Sequence, residues 1–299
     1  MRPAPVSLVR LKAALAAAGA SPRKRHGQHF LLDDNLLAAI VRAAEPLDGK
    51  RVLEVGPGPG LLTRHLLGAG ARVVGLEIDP LMHAVARDLM GELPPASLRW
   101  IEADALAGSR RLGPELAQTL GHVDAMVSNL PYNIAGPLLG ALACHPTPPA
   151  RQTVLVQREM GDRLTAQPGS RDYGPLAVLM ALTSRVKLDR PVRPQSFWPP
   201  PRVESVVLVI EPLPDRPDSA TLDLVSGFLA AAFHNRRKTL WNSVRNAPGG
   251  QSGAARAPEA WKTLRAEALD PVQLCALAHT WAGIAPGERH RPETGRRSH

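Results

Sequence analysis

The sequence predicts an α/β protein, a parallel β-sheet with helices on both faces, followed by a small all-helical region. Three observations carry this. Short apolar, β-branched runs alternate with segments of helical periodicity between residues 51 and 210, the order that a parallel sheet with crossover helices requires. The first of those runs passes directly into a glycine loop. The alternation stops at a Pro- and Asp-rich stretch, residues 211–218, and only helical patterns follow. The expected domains are therefore 1–212, with an N-terminal helical and basic extension, and 213–299, a small helical domain with a polar tail.

Taken in order, residues 8–18 form a short helix and 21–29 a basic loop. Asp33 or Asp34 caps a helix over 33–44, in which Leu36, Leu37, Ile40 and Val41 keep helical spacing. Strands follow at 51–55, 72–78, 98–102, 123–128, 153–157 and 203–210. Helices are expected at 61–67, 80–90, 134–143, 159–166 and 176–182. In the second domain helices are expected at 222–233, 239–244, 259–268 and 272–282.

Composition excludes several classes. Hydrophobic residues make up 44% of the 299, enough for a sizeable core and against disorder. The two cysteines, Cys144 and Cys275, provide no disulfide framework or metal-ligand spacing, so we expect a reducing, cytoplasmic setting and no metal. No apolar run approaches the roughly 20 residues of a membrane span, and the N-terminal stretch reads as a surface helix rather than a transit peptide. The net charge is +9. Residues 1–30 hold six basic residues and no acid, and residues 213–299 hold twelve basic residues against eight acids. Such a balance favours a polyanionic partner. Arg23, Lys24 and Arg25, and the run Arg236, Arg237 and Lys238, are the candidate contacts for it.

The glycine loop is Gly56-Pro57-Gly58-Pro59-Gly60, after the strand Val52-Leu53-Glu54-Val55. Glycines let the backbone approach a ligand, and the following helix N-terminus presents free N–H groups. A dinucleotide fingerprint would need a small third residue at position 61, where Leu61 stands. The spacing suits S-adenosylmethionine, which has no pyrophosphate to cradle. Glu77 follows at the end of the next strand, placed to accept from two ribose hydroxyls. Asp104, after the third strand, is placed for an adenine amino group.

The most specific segment is Ser128-Asn129-Leu130-Pro131-Tyr132, at the end of the fourth strand. An adenine N6 is a poor nucleophile because its lone pair is delocalised into the ring. A side-chain amide oxygen and a main-chain carbonyl can accept both N6 hydrogens, aim the nitrogen and stabilise the charge that develops on it. Asn129 and the Leu130 carbonyl suit those roles. Pro131 stiffens the turn, and Tyr132 offers a ring for an extruded base. Phe197, in a proline-rich loop, is the candidate to close the other face of that base.

With these residues in view, the chain resembles the ribosomal RNA adenine dimethyltransferases, most of all their bacterial small-subunit branch. The resemblance covers roughly residues 21–246. It rests on the segment from Lys24 through Gln28, His29 and Leu31 to Asp33, on Glu54 to Gly58, on Glu77-Ile78-Asp79, Asp104 and Asn129 to Tyr132, and on the segments Phe197 to Ser205 and Phe233 to Leu240. It implies a Rossmann-like methyltransferase domain. It also implies cofactor contacts from His29, Leu31, Gly56, Glu77, Asp104 and Asn129, with Gln28, Gly58, Ile78 and Ala105 completing the candidate set. His29 departs from the family's usual Asn. The implied reaction is dimethylation of two adjacent adenosines in a hairpin near the 3′ end of small-subunit RNA, by a monomer acting on a subunit precursor. Three alternatives are a large-subunit methylase of the macrolide-resistance type, a catalytically silent assembly or transcription factor, and a NAD-dependent oxidoreductase. Leu61 disfavours the last, and intact Asn129, Tyr132, Glu77 and Asp104 disfavour the silent factor.

Overall fold

Apolar β-branched runs bury both faces of a strand, and here they assemble into a seven-stranded sheet. The computed structural model describes residues 3–22, 28–91, 97–108, 111–247 and 258–283. Helix α1 (Leu8–Ala17) is followed by β1 (Phe30–Leu31) and α2 (Asp34–Ala44). Then come β2 (Arg51–Val55), α3 (Leu61–Gly68), β3 (Arg72–Glu77), α4 (Pro80–Met90), β4 (Leu98–Glu102), α5 (Pro114–Leu120), β5 (Ala125–Asn129), α6 (Ala135–Cys144) and β6 (Arg151–Gln157). Helices α7 (Arg158–Leu164) and α8 (Pro175–Thr183) lead to β7 (Ser184–Val192), β8 (Phe197–Trp198) and β9 (Ser205–Pro212). Helices α9 (Ser219–Ala232), α10 (Leu240–Asn246) and α11 (Pro271–Ala282) complete the described chain.

The sheet order is β4-β3-β2-β5-β6-β9-β7. Strands β4, β3, β2, β5 and β6 are parallel, and β9 runs antiparallel to β6. The chain leaves β2 for β3 on one side and later returns to place β5 on the other. That reversal opens a crevice beyond the carboxyl ends of β2 and β5, where open α/β sheets bind ligands. A two-stranded sheet, β1 with β8, pairs Phe30 with Trp198 and Leu31 with Phe197.

Two compact units divide the described residues. The first draws on Met1–Leu142, Thr147–Gly161 and Arg185–Pro212, the second on Ala143–Pro146, Asp162–Ser184 and Leu213–His299. In the first, α1 turns Leu11, Ala14 and Leu15 into a core shared with Ile40, Val52, Leu66, Met82 and Val85. In the second, Tyr173, Val178, Phe228, Trp261 and Leu274 are buried together. The expected boundary at residue 212 omits residues 162–184 from the helical unit. Helix α8 is apolar on nearly every side, so it needs cover all round, and Ala177, Val178 and Leu179 share a buried cluster with Leu222, Val225 and Leu229.

Helix α5 and the short strands β1 and β8 are additional to the expected elements, and two further regions differ from expectation. Strand β7 is absent from the expected order, because Arg185, Lys187, Asp189, Arg190 and Pro191 mask its alternation. Charges and proline of this kind suit the edge of a sheet, which is where β7 lies. The helix expected over 259–268 is instead two short 3₁₀ turns, Glu259–Lys262 and Ala266–Ala268. Between them the Leu264 carbonyl accepts from the Leu240 N–H at 2.7 Å, a bond to α10 in place of one that would continue a helix.

Candidate active site

The crevice at the carboxyl ends of β2, β3 and β5 is a pocket enclosing about 1050 Å³ of space, its open mouth included. Gln28, His29, Leu31, Gly56, Gly58, Glu77, Ile78, Asp104, Ala105, Asn129, Leu130, Pro131 and Tyr132 all line it, so one wall gathers residues from separate stretches of sequence.

The glycine loop forms because only glycine tolerates its backbone. Gly56, Gly58 and Gly60 have φ of +69°, +53° and +77°, the left-handed region. At Gly56 a Cβ would also lie 2.9 Å from Pro131 Cγ. The loop therefore packs directly on the turn that carries Asn129 and Tyr132.

Glu77 ends β3 and is buried. One carboxylate oxygen accepts from the Gly58 N–H at 2.9 Å and the other from the Asp79 N–H at 3.0 Å. Burial raises its pKa, against the lowering effect of those bonds. Ile78, next to it, is 50% exposed, an apolar side chain standing in the pocket between two buried acids. Asp79 caps α4 through the Leu81 N–H, and Gln28 Nε2 reaches it at 3.5 Å. Asp104 accepts from the Leu106 N–H at 2.9 Å with one oxygen.

Asn129 ends β5. Its Nδ2 donates to the His29 carbonyl at 3.2 Å. A carbonyl can only accept, so this contact fixes which end of the amide is which and leaves Oδ1 as an acceptor. The turn beyond it is held by the Leu130 N–H on the Leu155 carbonyl at 3.1 Å and the Ile134 N–H on the Pro131 carbonyl at 3.1 Å. The Tyr132 hydroxyl bonds the buried Ser205 hydroxyl at 2.7 Å, and the His29 ring stacks on Tyr132 with centroids 5.4 Å apart. Burial pushes the Tyr132 phenol up, against the bond to Ser205.

Glu54 is a residue that sequence reasoning passed over. It lines the pocket and is 1% exposed. The Thr63 hydroxyl donates to it at 2.6 Å. Burial pushes its pKa up to about 8, with the bond from Thr63 opposing and nearby Glu77 adding. The signal was present: an acid in the middle of an apolar strand needs a reason to be there.

Three expectations need correction or lie elsewhere. Phe197 is not on the pocket wall. It is 3% exposed and packed in the core with Phe30 and Leu31, because β8 pairs with β1. A ring so enclosed cannot cover a base in this arrangement. Arg236 is not free for phosphate: its guanidinium bonds Glu267 at 2.7 Å, the Ser170 carbonyl at 2.7 Å and the Arg171 carbonyl. Arg237 and Lys238 are exposed in the turn that leads into α10. Arg23, Lys24 and Arg25 lie outside the described residues.

A mostly parallel sheet with this crevice, and a pocket built from a glycine loop, a buried acid at the end of β3 and an amide at the end of β5, define an S-adenosylmethionine-dependent methyltransferase fold. Solved structures agree. A dimethyladenosine transferase from Plasmodium falciparum superposes with a TM-score of 0.66 at 25% identity, covering 86% of this chain and 99% of that one. The 23S rRNA methyltransferase ErmE gives 0.56 at 23% identity over 85% and 99%, a likeness of fold alone. The ribosomal RNA adenine dimethylase family matches residues 19–270, and the chain belongs to that family. Among curated relatives, the ribosomal RNA small subunit methyltransferase A of Phenylobacterium zucineum is 40% identical over 278 residues, 92% of this chain and 93% of that protein. The protein of the same description from Thermosynechococcus vestitus is 42% identical over 233 residues, 75% and 82% of the two chains. The family's methyl donor is S-adenosylmethionine, and the pocket's chemistry fits it: the buried acid Glu77 suits a ribose, and the exposed apolar Ile78 with the acid Asp104 suits an adenine.

Proposed function

We propose that this chain dimethylates N6 of two adjacent adenosines near the 3′ end of small-subunit ribosomal RNA, acting as a cytoplasmic monomer on a precursor of the subunit. The observation that carries the reading is the fixed amide of Asn129. Its oxygen is an acceptor in the same pocket as the Tyr132 ring and the cofactor-side acids. When bound, S-adenosylmethionine supplies an electrophilic methyl group on a sulfonium.

The chain's residues do the rest. Glu77 takes the ribose hydroxyls, and Asp104 with Ile78 takes the adenine of the cofactor. Asn129 Oδ1 and the Leu130 carbonyl accept the two hydrogens of the target N6 and hold its nitrogen in line. The same two dipoles oppose the positive charge that grows on nitrogen as the methyl arrives. Tyr132 stacks on the target ring, which has to leave its helical neighbours to reach the pocket. N6 sheds its proton to water once alkylated, so no side-chain base is required. After one transfer a single N6 hydrogen remains, so one acceptor must suffice for the second.

The test is methyl transfer from labelled cofactor to precursor small subunits, with the product mapped by mass spectrometry of RNA digests. Two adjacent dimethyladenosines near the 3′ end are expected. Label confined to large-subunit RNA would replace this reading with that of a macrolide-resistance-type methylase, and no transfer to either RNA would leave a silent assembly factor.

A further inference from the structure

The His29 ring is fixed at two points. Its Nδ1 lies 2.7 Å from the Pro199 carbonyl. That oxygen only accepts, so Nδ1 carries a proton and donates it there. The ring then lies against Tyr132, centroids 5.4 Å apart and planes 28° from parallel. The other polar end of Tyr132 is held by Ser205 at 2.7 Å, and Ser205 is wholly buried on β9. The tyrosine is thus braced on one face and at its tip. Toward Asn129, by contrast, His29 uses only its main-chain carbonyl, at 3.2 Å, a contact that any residue at this position could make.

We infer that the His29 side chain is a positioning residue for the target base, acting through Tyr132, and that it is not a cofactor ligand. The imidazole fixes the plane of Tyr132 in advance and leaves its opposite face as the platform for the adenine, so less ordering remains when the base arrives. The Phe197–Trp198 segment contributes through the Pro199 carbonyl that anchors the imidazole, not through the buried Phe197 ring. The inference rests on the reading of this pocket as an adenine N6 methylation site.

The chain contains two tyrosines, Tyr132 and Tyr173. Full-length protein labelled with 3-fluorotyrosine therefore gives two fluorine resonances, and Tyr132→Phe identifies the one of interest. In His29→Ala the Tyr132 resonance should shift and broaden while that of Tyr173 stays in place. Affinity for S-adenosylmethionine, by calorimetry, should stay within about threefold, and kcat on RNA should fall about tenfold at saturating cofactor. His29→Phe, which restores a flat ring, should recover kcat to within about threefold. If Tyr173 shows that His29→Ala is unfolded, His29→Asn replaces it in the same comparison. An unmoved Tyr132 resonance overturns the inference, and so does a loss confined to cofactor affinity with kcat intact. A parent protein that methylates no adenosine would reject the proposed reaction, while the fluorine spectra would still decide whether His29 holds Tyr132.

Discussion

At the scale of single residues, the proposed chemistry rests on the orientation of one amide. Asn129 can serve N6 only if its oxygen faces the base, and the His29 carbonyl secures that by taking the amide nitrogen. Asn129→Ala should leave RNA affinity unchanged, since phosphate contacts elsewhere dominate it. The methylation rate should fall about a hundredfold or more, the scale of removing one preorganised polar group from a transition state. Near-normal dimethyladenosine formation in RNA digests would place N6 positioning elsewhere. Much of this pocket was legible in sequence, because Glu77 and Asn129 each end a strand of a parallel sheet, Asp104 closely follows another, and such ends converge. Phe197 deceives for a physical reason. A proline-rich loop looks exposed in sequence, and the pairing of β8 with β1, which buries the ring, joins residues more than 160 positions apart. Glu54 escapes a reading of sequence because its role depends on burial, which the strand's apolar neighbours imply but do not announce.

At the scale of elements, the sheet was legible and its edge was not. Central strands advertise themselves by β-branched runs, whereas β7 carries the charges that keep an edge from pairing with other chains. The turn between α9 and α10 shows the same limit: three consecutive cations look alike in sequence, yet one is tied down. Arg236 joins Glu267 to the carbonyls of Ser170 and Arg171, so it fastens residues 170–171 to the helical unit. The side chain is partly exposed, and solvent weakens its ion pair. Arg236→Ala should therefore destabilise that unit by only about 1 kcal/mol. It should leave the salt dependence of RNA binding as it was. Arg237→Ala with Lys238→Ala should do the reverse. Thermal stability should be unchanged, and the slope of log affinity against log salt should flatten by about 0.7–0.9 for each phosphate that a removed cation had neutralised. Equal slopes in the double variant and the parent would remove this turn from the RNA interface.

At the scale of the whole molecule, the buried acids of the pocket couple stability to pH and to the cofactor. Glu54 has a folded pKa of about 8 against an ordinary value of 4.5. Between those values the folded protein holds a proton that the unfolded chain has released, so unfolding becomes easier as pH rises. The stabilising effect of the protonated carboxyl is complete below about pH 4.5 and is lost as pH passes 8. At 1.36 kcal/mol per pH unit the full swing is on the order of 5 kcal/mol. Glu77, also shifted upward by burial, adds a slope of the same sign. Denaturant unfolding of the cofactor-free protein should therefore show stability falling from pH 5 to pH 8, and Glu54→Gln should flatten that fall. The glutamine keeps an acceptor for the Thr63 hydroxyl, so the fold should survive the change. The cofactor reverses the balance. It brings a sulfonium and an ammonium into the pocket, and a nearby cation favours the ionised carboxylate. Binding at pH 7 should then release protons, seen as a binding enthalpy that depends on the ionisation enthalpy of the buffer. Glu54→Gln should reduce that dependence. Identical enthalpies in phosphate and Tris would show that Glu54 is not protonated in the empty pocket, and that the loss of stability above neutral pH has another source.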